Sequence, residues 1–304
     1  MKCFELQLNG AYGLDFSDPE MTADGFLKCA EKALEAGITR FLPTIVTSGL
    51  DLYRRNLPLM LRAIEKAGLT YEIPGFHLEG PFISPLPGAV GAHDPDAVQS
   101  PTPEALDQLN AIAEGKIRLL TLAAEREGAP ETIRHAKKLG ITVALGHQLA
   151  DRDQIAAGAA AGAAALTHLG NGIPNMIDRH RNPIWSGLAN DDLTAMIITD
   201  GHHLPADVIK CMIRCKTPEK IVITSDASSA AGLPPGNYRV LGNDAVLYEN
   251  GLLYNPEKKC LVGSGSLTPA CIKFLRSLNL LSEQELELVT WHNPHKLVGL
   301  SESR

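Results

Sequence analysis

The feature that most constrains this 304-residue chain is an alternation. Short β-type runs at 4–8, 40–42, 73–77, 117–122, 141–145, 163–167, 193–198 and 221–224 are separated, for the most part, by helical patterns at 22–36, 50–67, 103–114, 131–139, 151–161 and 206–215. Strands that alternate with helices pair in parallel, because each helical crossover returns the chain to start the next strand from the same end. Eight such units predict closure into a (β/α)8 barrel. The length suits one barrel domain over 1–304, and 44% hydrophobic residues supply its core. Helix ends agree with the reading. Thr102 precedes Pro103, Asp151 precedes Gln154 by three, and glycines 37, 68 and 140 follow helical runs.

Two stretches break the alternation. The segment 170–190 is rich in Asn, Pro and Arg and is predicted as a long loop without a clear helix. The segment 238–262 has β-type runs around Asn250-Gly251 and is predicted as a hairpin inserted after the eighth strand.

Composition removes several function classes. A net charge of −7 offers no basic excess for nucleic acid or an anionic membrane. No run approaches the roughly 18 apolar residues of a membrane span, and the N-terminus lacks the apolar core of a signal peptide. The six cysteines are scattered without a CxxC pair, which predicts reduced thiols and a cytoplasmic setting. Cys211 and Cys215, four apart on a predicted helix, read as core or helix-surface residues rather than ligands.

A barrel gathers the C-terminal ends of its strands into one mouth, so the residues after each run carry the functional reading. Gln7 and Asn9 end the first run, His77 and Glu79 the third, His147 the fifth and His168 the sixth. Asp200, His202 and His203 follow the seventh, and Asp226 follows the eighth. A carboxylate with two imidazoles, Glu79 with His147 and His168, suits one divalent metal such as Zn2+, with Fe2+, Co2+ or Mn2+ also acceptable, and fits Mg2+ poorly. Asp226 would face that metal as acid/base. His77 would pack beneath the site or orient Glu79. The side chains of the adjacent His202 and His203 should diverge.

At these residues the chain resembles the N-acetylglucosamine-6-phosphate deacetylases of the amidohydrolase superfamily. The pieces ELQLNGAYGLDFSD, FLPTIVTS, GFHLEGPFIS, GAHDP, LGHQLA, ALTHLGNG, TDGHHLP, SDAS, GSGSLT and NPHKLVGL fall in the family's order along nearly the whole chain. The resemblance implies metal binding by Glu79, His147 and His168, with Asp226 catalytic. It implies substrate contacts from His93, His203, Asn171 and the backbone at Gly172, and phosphate binding by Arg179, often across a homodimer interface. Gln7 and Asn9 stand where many amidohydrolases have two histidines, which implies a single metal. The implied reaction is deacetylation of N-acetylglucosamine 6-phosphate or a close N-acetyl amino sugar.

The family's accessory β-sandwich has no counterpart in these 304 residues, so a bare barrel is expected. Gly170 and Gly172 replace larger residues, Arg179-His180-Arg181 forms a basic cluster, and Gln148 stands where serine is common. These departures favour the alternative of another amide or cyclic amide as substrate. A non-catalytic barrel is the third alternative, opposed by four polar groups directed at one mouth.

Overall fold

The computed structural model describes residues 1–303. Eight strands lie in one sheet in chain order: β1 (Phe4–Leu8), β2 (Arg40–Val46), β3 (Phe76–Glu79), β4 (Ile117–Leu122), β5 (Thr142–Leu145), β6 (Ala165–Leu166), β7 (Thr194–Ile198) and β8 (Ile221–Thr224). Each pairs in parallel with the next. A parallel bridge between Leu8 and Ala227 brings the chain beyond β8 back to β1, and the Asn9 N–H donates to the Ala227 carbonyl at 2.9 Å. The expected (β/α)8 barrel is the observed fold.

Side-chain alternation along the strands builds two cores. Phe4, Leu6, Leu42, Leu119, Ala144, Ala165, Met196 and Val222 fill the barrel interior, with Trp291 and Val298 packed against them. Their immediate neighbours, among them Phe41, Leu120 and Val143, point outward into a second core shared with the helices. Those helices follow the strands in turn: α1 (Ala23–Glu35), α2 (Leu50–Ala67), α3 (Pro103–Ile112), α4 (Ala129–Lys138), α5 (Arg152–Ala161), α6 (Pro183–Leu188), α7 (Ala206–Lys216) and α8 (Thr268–Ser277). The capping signals act as expected. The Thr102 hydroxyl accepts from the Ala105 N–H at 3.2 Å, and Asp151 with Gln154 closes a reciprocal capping box.

The stretch 170–190 was expected to lack a helix but contains α6. The Asn182 side chain accepts from the Ile184 and Trp185 N–H groups at 3.0 and 3.2 Å, and Pro183 opens the helix. Six residues are too few to show an apolar stripe, so the helix left only a cap signal. The inserted hairpin is likewise larger than expected. Four antiparallel strands, β9 (Gly236–Val240), β10 (Asn243–Leu247), β11 (Leu253–Asn255) and β12 (Cys260–Leu261), form a separate sheet. Leu241 and Gly242, both at positive φ, make the two-residue turn between β9 and β10. The Asn250-Gly251 turn joins only the middle pair. Val240, Ala245, Leu247, Leu253 and Val262 give this sheet its own small core.

The barrel seam is held by a buried carboxylate. Glu5 on β1 accepts hydrogen bonds from the N–H groups of Gln7 and Ser225, each at 2.8 Å, and from the hydroxyls of Thr224 and Thr268. Four donors satisfy the charge without a cation, which makes its burial tolerable. Among the described residues, no helix is long and apolar enough to cross a membrane.

Candidate metal centre and active site

Glu79 is the last residue of β3, while His147, His168 and Asp226 each stand two residues beyond the end of their strands, β5, β6 and β8. All three of the latter adopt positive φ, at 49°, 27° and 52°. Non-glycine residues rarely enter this region, at a cost of order 1–3 kcal/mol each, and keep it only where the surroundings enforce it. The kink interrupts the in–out alternation of the strand at the point where each side chain reaches the barrel mouth.

The result is a converging set of ligand atoms. Glu79 Oε1 lies 3.2 Å from His147 Nε2 and 2.9 Å from His168 Nε2, and the two nitrogens are 3.1 Å apart. Ligands of one tetrahedral ion with bonds of about 2.0–2.2 Å would lie roughly 3.3–3.5 Å apart, so this triangle is close to the spacing a single ion requires. His147 Nδ1 donates to the Ala89 carbonyl at 2.8 Å, which turns the Nε2 lone pair inward. Gly172, at φ +63°, lies against the same rings. A Cβ there would stand 3.0 Å from His147 Nδ1 and 3.1 Å from His168 Cε1. Donor types, spacing and tautomer all fit a divalent metal.

The strand-one amides hold the carboxylates. Gln7 Nε2 donates to Glu79 Oε1 at 2.7 Å and to Asp226 Oδ1 at 2.9 Å, and Asn9 Nδ2 donates to Asp226 Oδ1 at 2.7 Å. The amide oxygens of both residues are buried without partners. The two carboxylates are driven apart in acidity. Burial pushes Glu79 up, but its close contacts with the imidazoles of His147, His168 and His93 hold it well below the usual carboxylate range. Burial, with the negative charge of Glu79, raises Asp226 to about 6. One group is a fixed anion and the other is poised to exchange a proton near neutrality.

Three further imidazoles surround this pair. His93 Nδ1 accepts from the Thr47 N–H at 3.2 Å, so the neutral ring carries its proton on Nε2, 3.6 Å from Glu79 Oε2. Burial and the neighbouring rings lower His93 to about 3 and keep it neutral. His203 Nδ1 is paired with Asp200 Oδ2 at 2.8 Å, leaving Nε2 for the cavity that His203 lines. Burial opposes ionisation of Asp200, but hydrogen bonds from the His203 ring and the backbone hold its carboxyl well below the usual range. His202 turns the other way and meets the Asn250 carbonyl on the inserted sheet at 2.9 Å, so the adjacent histidines diverge as expected. His77 makes no hydrogen bond to Glu79. Its Nε2 pairs with Thr121 Oγ1 at 2.8 Å and its Nδ1 with Thr44 Oγ1 at 3.3 Å, beneath the site.

Glu79, His147, His168, Asp226, Asn9, His93, Asn171, Gly172 and His203 thus share one cavity of about 480 Å3. Arg179 does not join them. It is exposed, and its carbonyl accepts from the Trp185 indole N–H at 2.9 Å. The cavity is closed on one side by Leu241, Tyr254, Lys259, Cys260 and Leu261 of the inserted sheet, residues the sequence reading did not single out. Glu5 was also missed, although a lone glutamate within the run FELQL is a signal in itself.

A (β/α)8 barrel that presents a glutamate, two histidines and an aspartate at the C-terminal ends of β3, β5, β6 and β8 has the make-up of a metal-dependent hydrolase of the amidohydrolase superfamily. The chain is 32% identical over 313 residues to N-acetylglucosamine-6-phosphate deacetylase of Danio rerio, covering 98% of this chain and 74% of that protein. It is 30% identical over 297 residues to N-acetylgalactosamine-6-phosphate deacetylase of Escherichia coli O157:H7, covering 97% and 77%. The chain belongs to the N-acetylglucosamine-6-phosphate deacetylase family. Among solved structures, a mutant of the Mycobacterium smegmatis deacetylase in complex with N-acetyl-D-glucosamine-6-phosphate superposes with a TM-score of 0.88 at 28% identity, covering 98% of this chain and 77% of that one. The Thermotoga maritima enzyme superposes at 0.86 and 26% identity, covering 98% and 78%. No protein-family model matches the chain.

Proposed function

We propose that this barrel, taken as one domain over 1–304, hydrolyses the acetamide of N-acetylglucosamine 6-phosphate or a close N-acetyl amino sugar, releasing acetate and the amine. The observation that carries the reading is the pairing of a metal-type triangle, Glu79 with His147 and His168, with a carboxylate of raised pKa in the same cavity. Zinc, as a single ion, suits one carboxylate and two imidazoles. When bound, such an ion supplies Lewis acidity toward a water molecule and a carbonyl oxygen. Asp226 takes the proton of the attacking water and delivers it to the leaving amine nitrogen. Gln7 and Asn9 hold that carboxylate in position. His93, through its Nε2–H, and His203, oriented by Asp200, donate hydrogen bonds to the oxygens of the substrate. Asn171 and the close-packed backbone at Gly172 border the sugar.

Arg179 lies outside the cavity of its own chain, which suits a homodimer in which it reaches the partner's site. The six free cysteines suit a cytoplasmic setting. The test is acetate release from N-acetylglucosamine 6-phosphate by protein of measured metal content, before and after chelation and zinc add-back. Activity that disappears with the metal and returns with it is expected. Zinc-loaded protein that releases no acetate from phosphorylated or free N-acetylhexosamines would overturn the reading.

A further inference from the structure

The cavity is electrically lopsided. Glu79 and Asp226 sit on its floor, and among its described lining residues there is one lysine or arginine, Lys259. Lys259 stands at the end of the turn between β11 and β12, next to Cys260. Its neighbour is tied down: Lys258 Nζ donates to Asn243 Oδ1 at 2.5 Å, and the turn is pinned by Asn255 Oδ1, which accepts from the N–H groups of Glu257 and Lys258 at 2.9 Å. No hydrogen bond or ion pair is made by the Lys259 ammonium among the described residues. Its backbone also adopts φ +54°, a region that glycine or asparagine would enter at lower cost. A lysine in a glycine-type turn position, unpaired and lining the reaction cavity, is not explained by the stability of the turn.

We propose that Lys259 is a specificity-determining residue that binds the phosphate of the substrate within its own chain. The inference rests on the deacetylase reading above. A sugar that directs its acetamide to the carboxylate end carries its phosphate elsewhere in the cavity, and a dianion there requires a cation to replace its hydration. Arg179, the residue the family pattern assigns to phosphate, does not line the cavity of its own chain, so within one chain Lys259 is the cation at hand and a partner's arginine would act beside it.

The experiment compares Lys259→Met, Lys259→Gly, Lys259→Arg and Arg179→Ala with the parent protein, zinc-loaded, on N-acetylglucosamine 6-phosphate and on free N-acetylglucosamine. Lys259→Met and Lys259→Gly should raise KM for the phosphorylated sugar about 10- to 100-fold, the worth of one charge-assisted hydrogen bond, with kcat within about threefold. KM for the free sugar should not move, and Lys259→Arg should restore most of the loss. Added salt should weaken use of the phosphorylated sugar by the parent protein more than by Lys259→Met. The glycine variant relaxes the backbone while removing the charge, so loss in both variants assigns the effect to the ammonium. Unchanged KM for the phosphorylated sugar, or equal losses on both sugars, overturns the proposal, as does phosphate discrimination that resides entirely in Arg179. If the parent protein hydrolyses neither sugar, calorimetric binding of glucosamine 6-phosphate against glucosamine decides separately. Lys259-dependent preference for the phosphorylated form upholds the proposal while the deacetylase reading falls, and absence of that preference overturns both.

Discussion

Replacing Asp226 with asparagine isolates the proton-transfer role from everything else the carboxylate does. The side chain keeps its shape, and its oxygen can still accept from Gln7 Nε2 and Asn9 Nδ2, now at 2.9 and 2.7 Å. Its new NH2 has acceptors nearby once either amide turns over, because Gln7 Oε1 and Asn9 Oδ1 are buried without partners. The substitution also removes the repulsion from Glu79 that helps raise Asp226 to about 6. Folding stability should therefore be unchanged or slightly higher. The metal triangle does not include Asp226, so metal content should stay at the parent value. Turnover should fall by about 10²- to 10⁴-fold, or roughly 3–5 kcal/mol in the barrier, the range for loss of one general acid–base group. Steady-state acetate release over a pH series, with metal quantified on the same samples, measures each part. Retention of more than a tenth of kcat at full metal occupancy would refute the acid/base assignment, and loss of metal in step with activity would make Asp226 a ligand instead.

Metal binding should weaken as pH falls. Burial lowers His168, but the hydrogen bond and charge of Glu79 raise it above its ordinary value of 6.5, so a proton competes with the metal below that raised pKa while Glu79 stays ionised. Chelator competition between pH 6 and 8 reads this directly, and a flat affinity would contradict it. In the metal-free protein the same pair stabilises the fold most between the ordinary values of 4.5 and 6.5, since the Glu79 contribution is lost in acid and the His168 contribution as pH rises through its raised pKa. Gly172→Ala places a Cβ 3.0 Å from His147 Nδ1 in a left-handed backbone, at a strain of about 1–2 kcal/mol. Zinc affinity should drop by about tenfold or more, as measured by the same competition. Glu5→Gln turns one of the two acceptor oxygens at the seam into a donor facing donors, and should cost about 2–3 kcal/mol, seen as a fall of about 5 °C in Tm with activity per folded molecule retained.

The sequence reading reached the barrel and the gathering of the candidate ligands because both obey local rules. Strand and helix periods differ, and a barrel collects its strand ends, so Glu79, His147, His168 and Asp226 could be assigned to one mouth without any knowledge of distances. It misjudged what depends on tertiary contact. The six-residue α6 is fixed by the Asn182 cap and by Pro183, and is too short for a periodic signal. The inserted sheet was read as one hairpin because the Leu241-Gly242 turn lacks the familiar Asn-Gly pair. Lys259 reaches the cavity only because that sheet folds back over the mouth, and nothing in its neighbours announces this. Arg179 shows the converse: a motif assigned it to phosphate, yet within its own chain it faces solvent.

Glu5 has a further consequence for how the molecule is made. Three of its four partners lie 219, 220 and 263 residues later in the chain, so the seam cannot form until almost all of the polypeptide exists. At about 5–20 residues per second, roughly 15–50 s of synthesis separate Glu5 from Thr268. Over that interval β1 has only β2 as a barrel neighbour and one edge unpaired, with a charged side chain where an apolar one would invite association with another strand. The carboxylate that completes the finished barrel thus also guards the nascent one, and exchanging it for an apolar residue should be felt first as aggregation during expression.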